Sequence, residues 1–267
     1  MATRPARPPA TQAAYVLHRY DWSESSLILD LFTREQGRIA VVAKGAKRPY
    51  SQLRSVLLPF QRIQVSLGRP PKAEGNGGEP TGEVLNLRGA EWSGGSGTMP
   101  VGAALFSGFY LNELLMKLIT RHDPQPALFD FYAETLTTLT PAHEMDRPAA
   151  LRAFELGLLQ TLGVLPDLSR VTSTQQWVEP ERLYGLSPDA GVIEHRAAPE
   201  SKSEGALNGH ALIGLQAALQ HGSVAALQQA CARALPELRG VLRHLLHYHL
   251  GSSQLRTRQV MLDVQSL

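Results

Sequence analysis

The chain of 267 residues is 43% hydrophobic, 19% charged and 6% aromatic. This length is enough for one large or two small domains with a real core. Cys231 is the one cysteine, which excludes an intramolecular disulfide framework and every cysteine-based zinc site. No run of 18 apolar residues occurs, and residues 1–13 lack the apolar core of a secretory signal. We therefore expect a cytoplasmic protein that does not cross a membrane.

The positive charge is concentrated near the N-terminus. Residues 1–70 contain eleven basic and four acidic residues and carry +7, whereas residues 71–267 carry −5. A local positive field of this kind attracts polyanions such as nucleic acids. The alternative is a solvated basic face without a partner.

Alternation of apolar and polar residues predicts five short strands in the first ninety residues. They are Ala14–Arg19, Ser26–Thr33, Arg38–Lys44, Gln61–Leu67 and Glu83–Arg88. Five such strands favour a small closed barrel, and the OB-fold is the common five-stranded one. We predict a flexible tail over 1–13 and an OB-fold DNA-binding domain over 14–93. The Gly/Pro-rich stretch 68–82 is expected to be a long exposed loop or disordered.

After a Ser/Gly joint at 93–97, the periodicity becomes helical. The predicted helices are Val101–Arg121, Ala127–Leu139, 146–163, Leu212–Leu219, Val224–Leu235, Leu238–Leu250 and Ser253–Leu262. They form a mainly α-helical domain over 98–267, interrupted by a loop-rich module over 166–206. That module includes one predicted hairpin, from 182–186 and 191–195. The predicted fold class is therefore α+β with more than one domain.

A loop rich in cations follows the third strand and indicates binding of single-stranded nucleic acid. The predicted DNA-binding residues, in this loop and on the strands beside it, are Arg38, Lys44, Lys47, Arg48, Tyr50, Arg54 and Arg62. Cations follow phosphates, and an aromatic ring offers a surface on which a base can stack. Tyr50 could equally be a loop residue that covers the mouth of the barrel. Phosphate contacts carry no sequence information, so we expect non-specific binding that favours pairing of two strands.

Basic residues near the C-terminus form a possible second stripe, suited to nucleic acid or to an acidic partner. They are Arg239, Arg243, Arg256 and Arg258. His244 and His247 share a helix face, but no third ligand lies at helical spacing, so we predict no metal site and no cofactor. Arg152 and Glu155, three residues apart, are spaced as an ordinary surface ion pair.

The sequence lacks the motifs of phosphate-binding loops, nucleophile elbows and His-Glu-x-x-His metalloenzymes, and we predict that the protein is not an enzyme. One alternative is an OB-fold scaffold that binds only acidic protein partners. A nuclease would need clustered acidic metal ligands, and the first 70 residues contain four acidic residues in total.

Several blocks of the sequence, taken in order, resemble the RecO family of bacterial recombination mediators. The N-terminal blocks are Tyr15–Arg19, Trp22–Ser26, Leu29–Thr33 and Ala43–Arg48, and further similarity lies at Leu58–Phe60, Gly108–Leu115 and Leu151–Leu156. The Ala-Lys-Gly-Ala block at a strand end is the most specific of these.

The resemblance implies an N-terminal OB-fold, a helical C-terminal domain and no active site. It implies binding of single- and double-stranded DNA, strand annealing, and work with RecR and, in many bacteria, RecF. Such proteins help to load RecA onto DNA coated by the single-stranded DNA-binding protein SSB. The resemblance also implies that Arg152 docks the acidic C-terminal tail of SSB. Many members carry a zinc-binding cysteine cluster in the middle module, and this chain has no cysteine there.

Overall fold

The computed structural model describes residues 11–68, 84–94, 99–140, 143–195, 206–251, 255–257 and 259–260. Two compact units are present in this part of the chain. The first comprises the described residues up to 99 together with 119–129, and the second comprises 100–118 and the described residues from 130 onward. Most of the predicted tail, most of the Gly/Pro-rich stretch 68–82, and Arg258 lie outside the described residues.

The first unit is a closed five-stranded barrel. Its strands are β1 (Thr11–Asp21), β2 (Leu27–Thr33), β3 (Gly37–Ala43), β4 (Arg62–Gly68) and β5 (Val84–Trp92), and a short helix, α1 (Leu53–Val56), lies between β3 and β4. The strand order is β1-β2-β3-β5-β4, and β4 closes the barrel against β1. All pairs are antiparallel except β3 and β5. This is the five-stranded OB-fold barrel predicted from the sequence.

The apolar face of the predicted alternation fills the barrel. Leu29 and Leu31 on β2, Ile39 on β3, and Ile63 and Val65 on β4 are all fully buried in one cluster. The ends of the strands differ from the prediction. β1 begins at Thr11, opposite Ser66 on β4, so residues 11–13 are part of the barrel and not of the tail.

A later segment of the chain, residues 119–129, belongs to the barrel unit, and we call it the returning segment. Its backbone is joined to β3, because His122 N–H donates to the carbonyl oxygen of Arg38 at 2.9 Å. The ring of Phe129 packs 5.3 Å from that of Tyr15 and 5.5 Å from that of Phe32, measured between centroids. Aromatic pairs at these distances are favourable beyond the area they bury.

The second unit is mainly helical. Its helices are α2 (Ala103–Leu118), α3 (Pro126–Thr137, of which residues from 130 onward belong here), α4 (Arg147–Thr161), α5 (Gly209–His221), α6 (Val224–Ala232) and α7 (Leu235–Leu250). α4 is the central helix, with a continuous buried run from Ala153 to Leu159, and it packs against α2, α6 and α7. Asn208 and Ser223 cap α5 and α6 by accepting backbone N–H groups of the first turn.

A small antiparallel sheet lies in the middle module. The strands β6 (Leu183–Ser187) and β7 (Gly191–Glu194) confirm the predicted hairpin. A third strand, β8 (Ala206–Asn208), pairs with β6 and was not predicted, since three residues are too few to show a period of two. The predicted helix Ser253–Leu262 lies largely outside the described residues. None of the helices in the described part of the chain is long and apolar enough to span a bilayer.

Candidate nucleic-acid interface and arginine-lined cavity

A basic loop, residues 44–54, follows β3 at one end of the barrel. Three turns build it: Arg48 N–H donates to the carbonyl oxygen of Gly45, Ser51 N–H to that of Arg48, and Arg54 N–H to that of Ser51, at 3.0–3.2 Å. Lys44, Arg48 and Arg54 are exposed, and none of them forms an ion pair with another described residue. The loop therefore presents uncompensated positive charge to solvent.

Tyr50 is the one aromatic residue of the basic loop, and it is 99% exposed. A ring in this position buries almost no apolar surface and covers no part of the barrel. The interpretation of Tyr50 as a cover over the mouth of the barrel is therefore wrong. The ring is accessible on both faces for stacking.

Lys47, in contrast, contacts the loop between β1 and β2. Its ammonium lies 3.0 Å from a carboxylate oxygen of Asp21 and 3.1 Å from the carbonyl oxygen of Ser23. Its backbone N–H donates to the carbonyl oxygen of Ser25 at 3.0 Å. Lys47 thus fastens two loops together, and its charge is partly neutralised.

Arg38 and Arg62 are not brought into the basic loop. Arg38 lies at the opposite end of β3 from Lys44, about 20 Å away at the usual rise per residue. Its guanidinium is 3.3 Å from buried Asp30 and donates to the carbonyl oxygen of Ile119 at 3.0 Å, and its side chain is 15% exposed. The guanidinium of Arg62 lies 6.0 Å from the centre of the Phe129 ring. Both arginines therefore pack against the returning segment.

The helical unit contains a cavity of about 500 Å³ between α2, α4 and α7. Residues one turn apart on each helix line it, because side chains at i, i+3 and i+4 share a face. Four arginines contribute to the lining, with apolar side chains between them: Arg147, Arg152, Arg239, Arg243, Phe106, Leu151, Leu246 and Leu255. The cavity thus combines cationic and apolar surface, which suits a ligand that is both acidic and hydrophobic.

A fully buried carboxylate lies beside this cavity. One oxygen of Glu155 is 2.6 Å from a guanidinium nitrogen of Arg152 and accepts a hydrogen bond from the Tyr110 hydroxyl, also at 2.6 Å. Burial raises the pKa of Glu155, although the charges of Arg152 and Arg243 and the hydrogen bond from Tyr110 oppose the shift. Burial and the adjacent Glu155 raise the pKa of Tyr110 as well. The interpretation of Arg152 and Glu155 as a surface ion pair is therefore wrong.

Residues near the C-terminus form part of the cavity wall, through Leu255 and Thr257. Glu113 on α2 holds this segment, accepting the backbone N–H groups of Arg256 and Thr257 at 2.9 Å and the Thr257 hydroxyl at 2.8 Å. Burial alone would raise the pKa of Glu113, but these hydrogen bonds and the charge of Lys117 lower it. The side chain of Arg256 is exposed.

The structure joins two features that were separate in the sequence. Arg239 and Arg243, assigned to a second basic stripe, line the same cavity as Arg152, and Arg258 lies outside the described residues. The spacing of Arg239 and Arg243 on one face was visible in the sequence, but their meeting with α4 was not. His247 lines the cavity as well, and among the described residues no three His, Cys, Asp or Glu side chains group as metal ligands.

Comparison with known proteins agrees with this architecture. The family model described as Recombination protein O N terminal matches residues 9–74, and that described as Recombination protein O C terminal matches 101–259. The DNA repair protein RecO of Polaromonas naphthalenivorans (strain CJ2) is 48% identical over 97% of this chain and 98% of its own length. The proteins of that name from Verminephrobacter eiseniae (strain EF01-2) and Variovorax paradoxus (strain S110) are each 47% identical, over 97% and 96% of both chains respectively.

This chain is a two-unit OB-fold protein. It has an OB-fold barrel with a cationic loop and a helical unit with an arginine-lined cavity. The matches run through both units. The chain belongs to the RecO family of DNA repair proteins.

Proposed function

We propose that this chain is a non-enzymatic mediator of DNA repair and homologous recombination, acting on chromosomal DNA in the bacterial cytoplasm. It binds single- and double-stranded DNA non-specifically, anneals complementary strands, and helps RecR, with or without RecF, to load RecA onto SSB-coated single strands. The observation that carries the proposal is the exposed basic loop, with Lys44, Arg48 and Arg54 unpaired among the described residues at one end of an OB-fold barrel.

Annealing requires no covalent chemistry. Two complementary strands repel each other through their phosphates, and cations that contact both strands reduce that repulsion. Because the contacts are to phosphate, they bring strands together whatever their sequence, and base pairing then selects the partner. Arg38, predicted as a DNA contact, is left out of this mechanism because its guanidinium is engaged with Asp30.

The arginine-lined cavity is the proposed docking site for the C-terminal tail of SSB. Carboxylates of the tail would pair with Arg152, Arg239 and Arg243, and its apolar side chains would contact Phe106 and Leu246. A separate site for SSB on the helical unit would let the protein stay on coated DNA while the basic loop contacts the strands.

The test is annealing of two complementary oligonucleotides coated with the cognate SSB, with and without the protein, across a salt series. We expect faster annealing that weakens steeply as salt rises. Faster annealing of bare strands but not of coated strands would support the DNA site and refute the SSB contact. No acceleration and no DNA binding at any salt would refute the proposal and favour a scaffold that binds only acidic proteins.

The SSB contact has its own test, which is calorimetry with a peptide of the SSB C-terminus. Arg152→Ala is expected to lose peptide binding and to retain DNA binding. Arg170→Ala is a matched control, because Arg170 lies on the face of Trp177, 3.9 Å from the ring centre, and does not line the cavity. Wild-type peptide affinity in Arg152→Ala would refute the assignment of Arg152.

A further inference from the structure

The loop between β1 and β2 presents a tryptophan to solvent at the same end of the barrel as the basic loop. Trp22 is 66% exposed. The loop is closed on itself, since Trp22 and Ser23 both donate their N–H groups to the carbonyl oxygen of Ser26, at 3.3 and 3.4 Å. Ser26 N–H donates in turn to the Ser23 hydroxyl at 3.1 Å. A compact turn therefore holds the indole outward.

Lys47 attaches this tryptophan loop to the basic loop. The ammonium of Lys47 contacts Asp21 and Ser23, which are the residues immediately before and after Trp22. Trp22 is thus held beside the basic loop, in which Lys47 is followed directly by Arg48 and, three residues on, by Tyr50. A single exposed apolar residue is ordinary on a protein surface, but one fixed next to exposed cations has the composition of a single-strand binding groove.

We infer that Trp22 is a base-stacking residue, on which an unpaired nucleobase of single-stranded DNA lies while the basic loop contacts the adjacent phosphates. The inference rests on the proposed function, since it assumes that the basic loop binds DNA. Bases in a duplex are already stacked and paired, so they cannot offer a face to the indole without being flipped out. Trp22 therefore contributes to the binding of single strands and not of duplexes.

Charge favours DNA over a protein partner at this surface. Lys44, Arg48 and Arg54 are exposed. Of the two acids in or beside the tryptophan loop, Asp21 is paired with Lys47 and Glu24 is exposed, so three exposed cations stand against one further carboxylate. A polyanion with flat apolar bases satisfies both the cations and the indole, which is the combination that single-stranded nucleic acid provides.

The chain supplies its own controls, because it has three tryptophans and all are exposed. Trp92, at the end of β5, is 57% exposed and lies outside the loop that Lys47 fastens. Trp177, in the helical unit, is 64% exposed and already stacks with the guanidinium of Arg170.

The experiment is an anisotropy titration of a labelled oligo(dT) and of a blunt duplex with the wild type, Trp22→Ala, Trp22→Phe and Trp92→Ala. We expect Trp22→Ala to lose about tenfold or more in affinity for oligo(dT), as alanine substitution of a stacking aromatic does. Its affinity for duplex should stay within about twofold, and its salt slope should not change because no ion pair is lost. Trp22→Phe should retain most of the affinity, and Trp92→Ala all of it.

A second measurement does not depend on the alanine variant being folded. In a protein with Trp92→Phe and Trp177→Phe, Trp22 is the remaining tryptophan, and oligo(dT) should quench its tryptophan fluorescence while duplex should not. The stacking role would be overturned if the fluorescence did not change when oligo(dT) binds. It would also be overturned if Trp22→Ala lost equal affinity for single strands and for duplex. Failure of the wild type to bind any DNA would instead overturn the proposed function.

Discussion

The pair formed by Arg152 and Glu155 can be tested by a double-mutant cycle on the stability of the helical unit. Glu155 is fully buried and Arg152 is 16% exposed. Removing one partner of a buried pair costs about 3–5 kcal/mol, because the other charge is left uncompensated. For Arg152→Ala we expect a loss of about 3 kcal/mol, at the low end of that range, since Tyr110 still donates to the carboxylate.

Substitution of the other partner, Glu155, is expected to lower the unfolding free energy by less. In Glu155→Gln the amide oxygen can still accept from Tyr110, and Arg152 can turn into the cavity, so we expect a loss of about 1 kcal/mol. The double variant removes both charges together and should lose about 2 kcal/mol, against about 4 kcal/mol if the two losses were independent. The coupling free energy is then about 2 kcal/mol.

The assay is urea unfolding of the full chain followed by circular dichroism of the helices, at several pH values. A carboxyl whose pKa is raised by folding binds more protons in the folded than in the unfolded state, so stability falls as pH rises through the interval between the two pKa values. Burial raises the pKa of Glu155, and Arg152→Ala should raise it further by removing a neighbouring cation. The loss in Arg152→Ala should therefore shrink on acidification. Losses that add to within about 0.5 kcal/mol and do not vary with pH would refute this account.

Three further predictions concern other features of the structure. Gly37→Ala should destabilise the barrel by about 2 kcal/mol or more, because φ is +67° and a Cβ would lie 1.9 Å from a backbone oxygen of the returning segment. Gly163→Ala is the control for backbone strain alone, since Gly163 has φ +70° but faces open space. Equal melting temperatures for the two variants would contradict this prediction. Glu113→Gln should remove a stabilisation that is present at neutral pH and lost as pH falls through the lowered pKa of this carboxyl, so the variant's unfolding free energy should vary less with acid than that of the wild type. Arg48→Ala with Arg54→Ala should flatten the dependence of log affinity for single strands on log salt by about 1.4, and an unchanged slope would remove these residues from the interface.

The fold of the barrel could be predicted because each strand carries its own signal. On β4, Ile63 and Val65 alternate with polar residues, and this pattern alone fixes which face is buried. The elements that were missed are those too short to show a period, namely α1 with four residues and β8 with three. The boundaries were the other weak point, since pairing with a distant strand decided where β1 begins.

The sites were predictable only where neighbours in sequence are neighbours in space. The cations of the basic loop could be read directly from the sequence, as part of the predicted loop 45–60 between the third and fourth strands. The burial of Arg38 could not be predicted from the sequence, because it depends on the returning segment more than eighty residues later. The cavity required three helices to meet, so Arg152 and Arg243 remained separate predictions until their packing was known. Trp22 was missed because a sequence does not state exposure, and tryptophan is usually largely buried.

The returning segment also determines how this protein can be divided experimentally. The chain passes between the two units at 99/100, 118/119 and 129/130, so neither unit is a continuous stretch of sequence. A fragment ending near residue 99 would lack Arg121, whose guanidinium is 3.3 Å from Asp30, and the Phe129 ring that covers Phe32. No single protease cut can release an intact barrel. Dissection by truncation would therefore damage the barrel itself, and point variants of the whole chain are the sounder route to separating the roles of its two units.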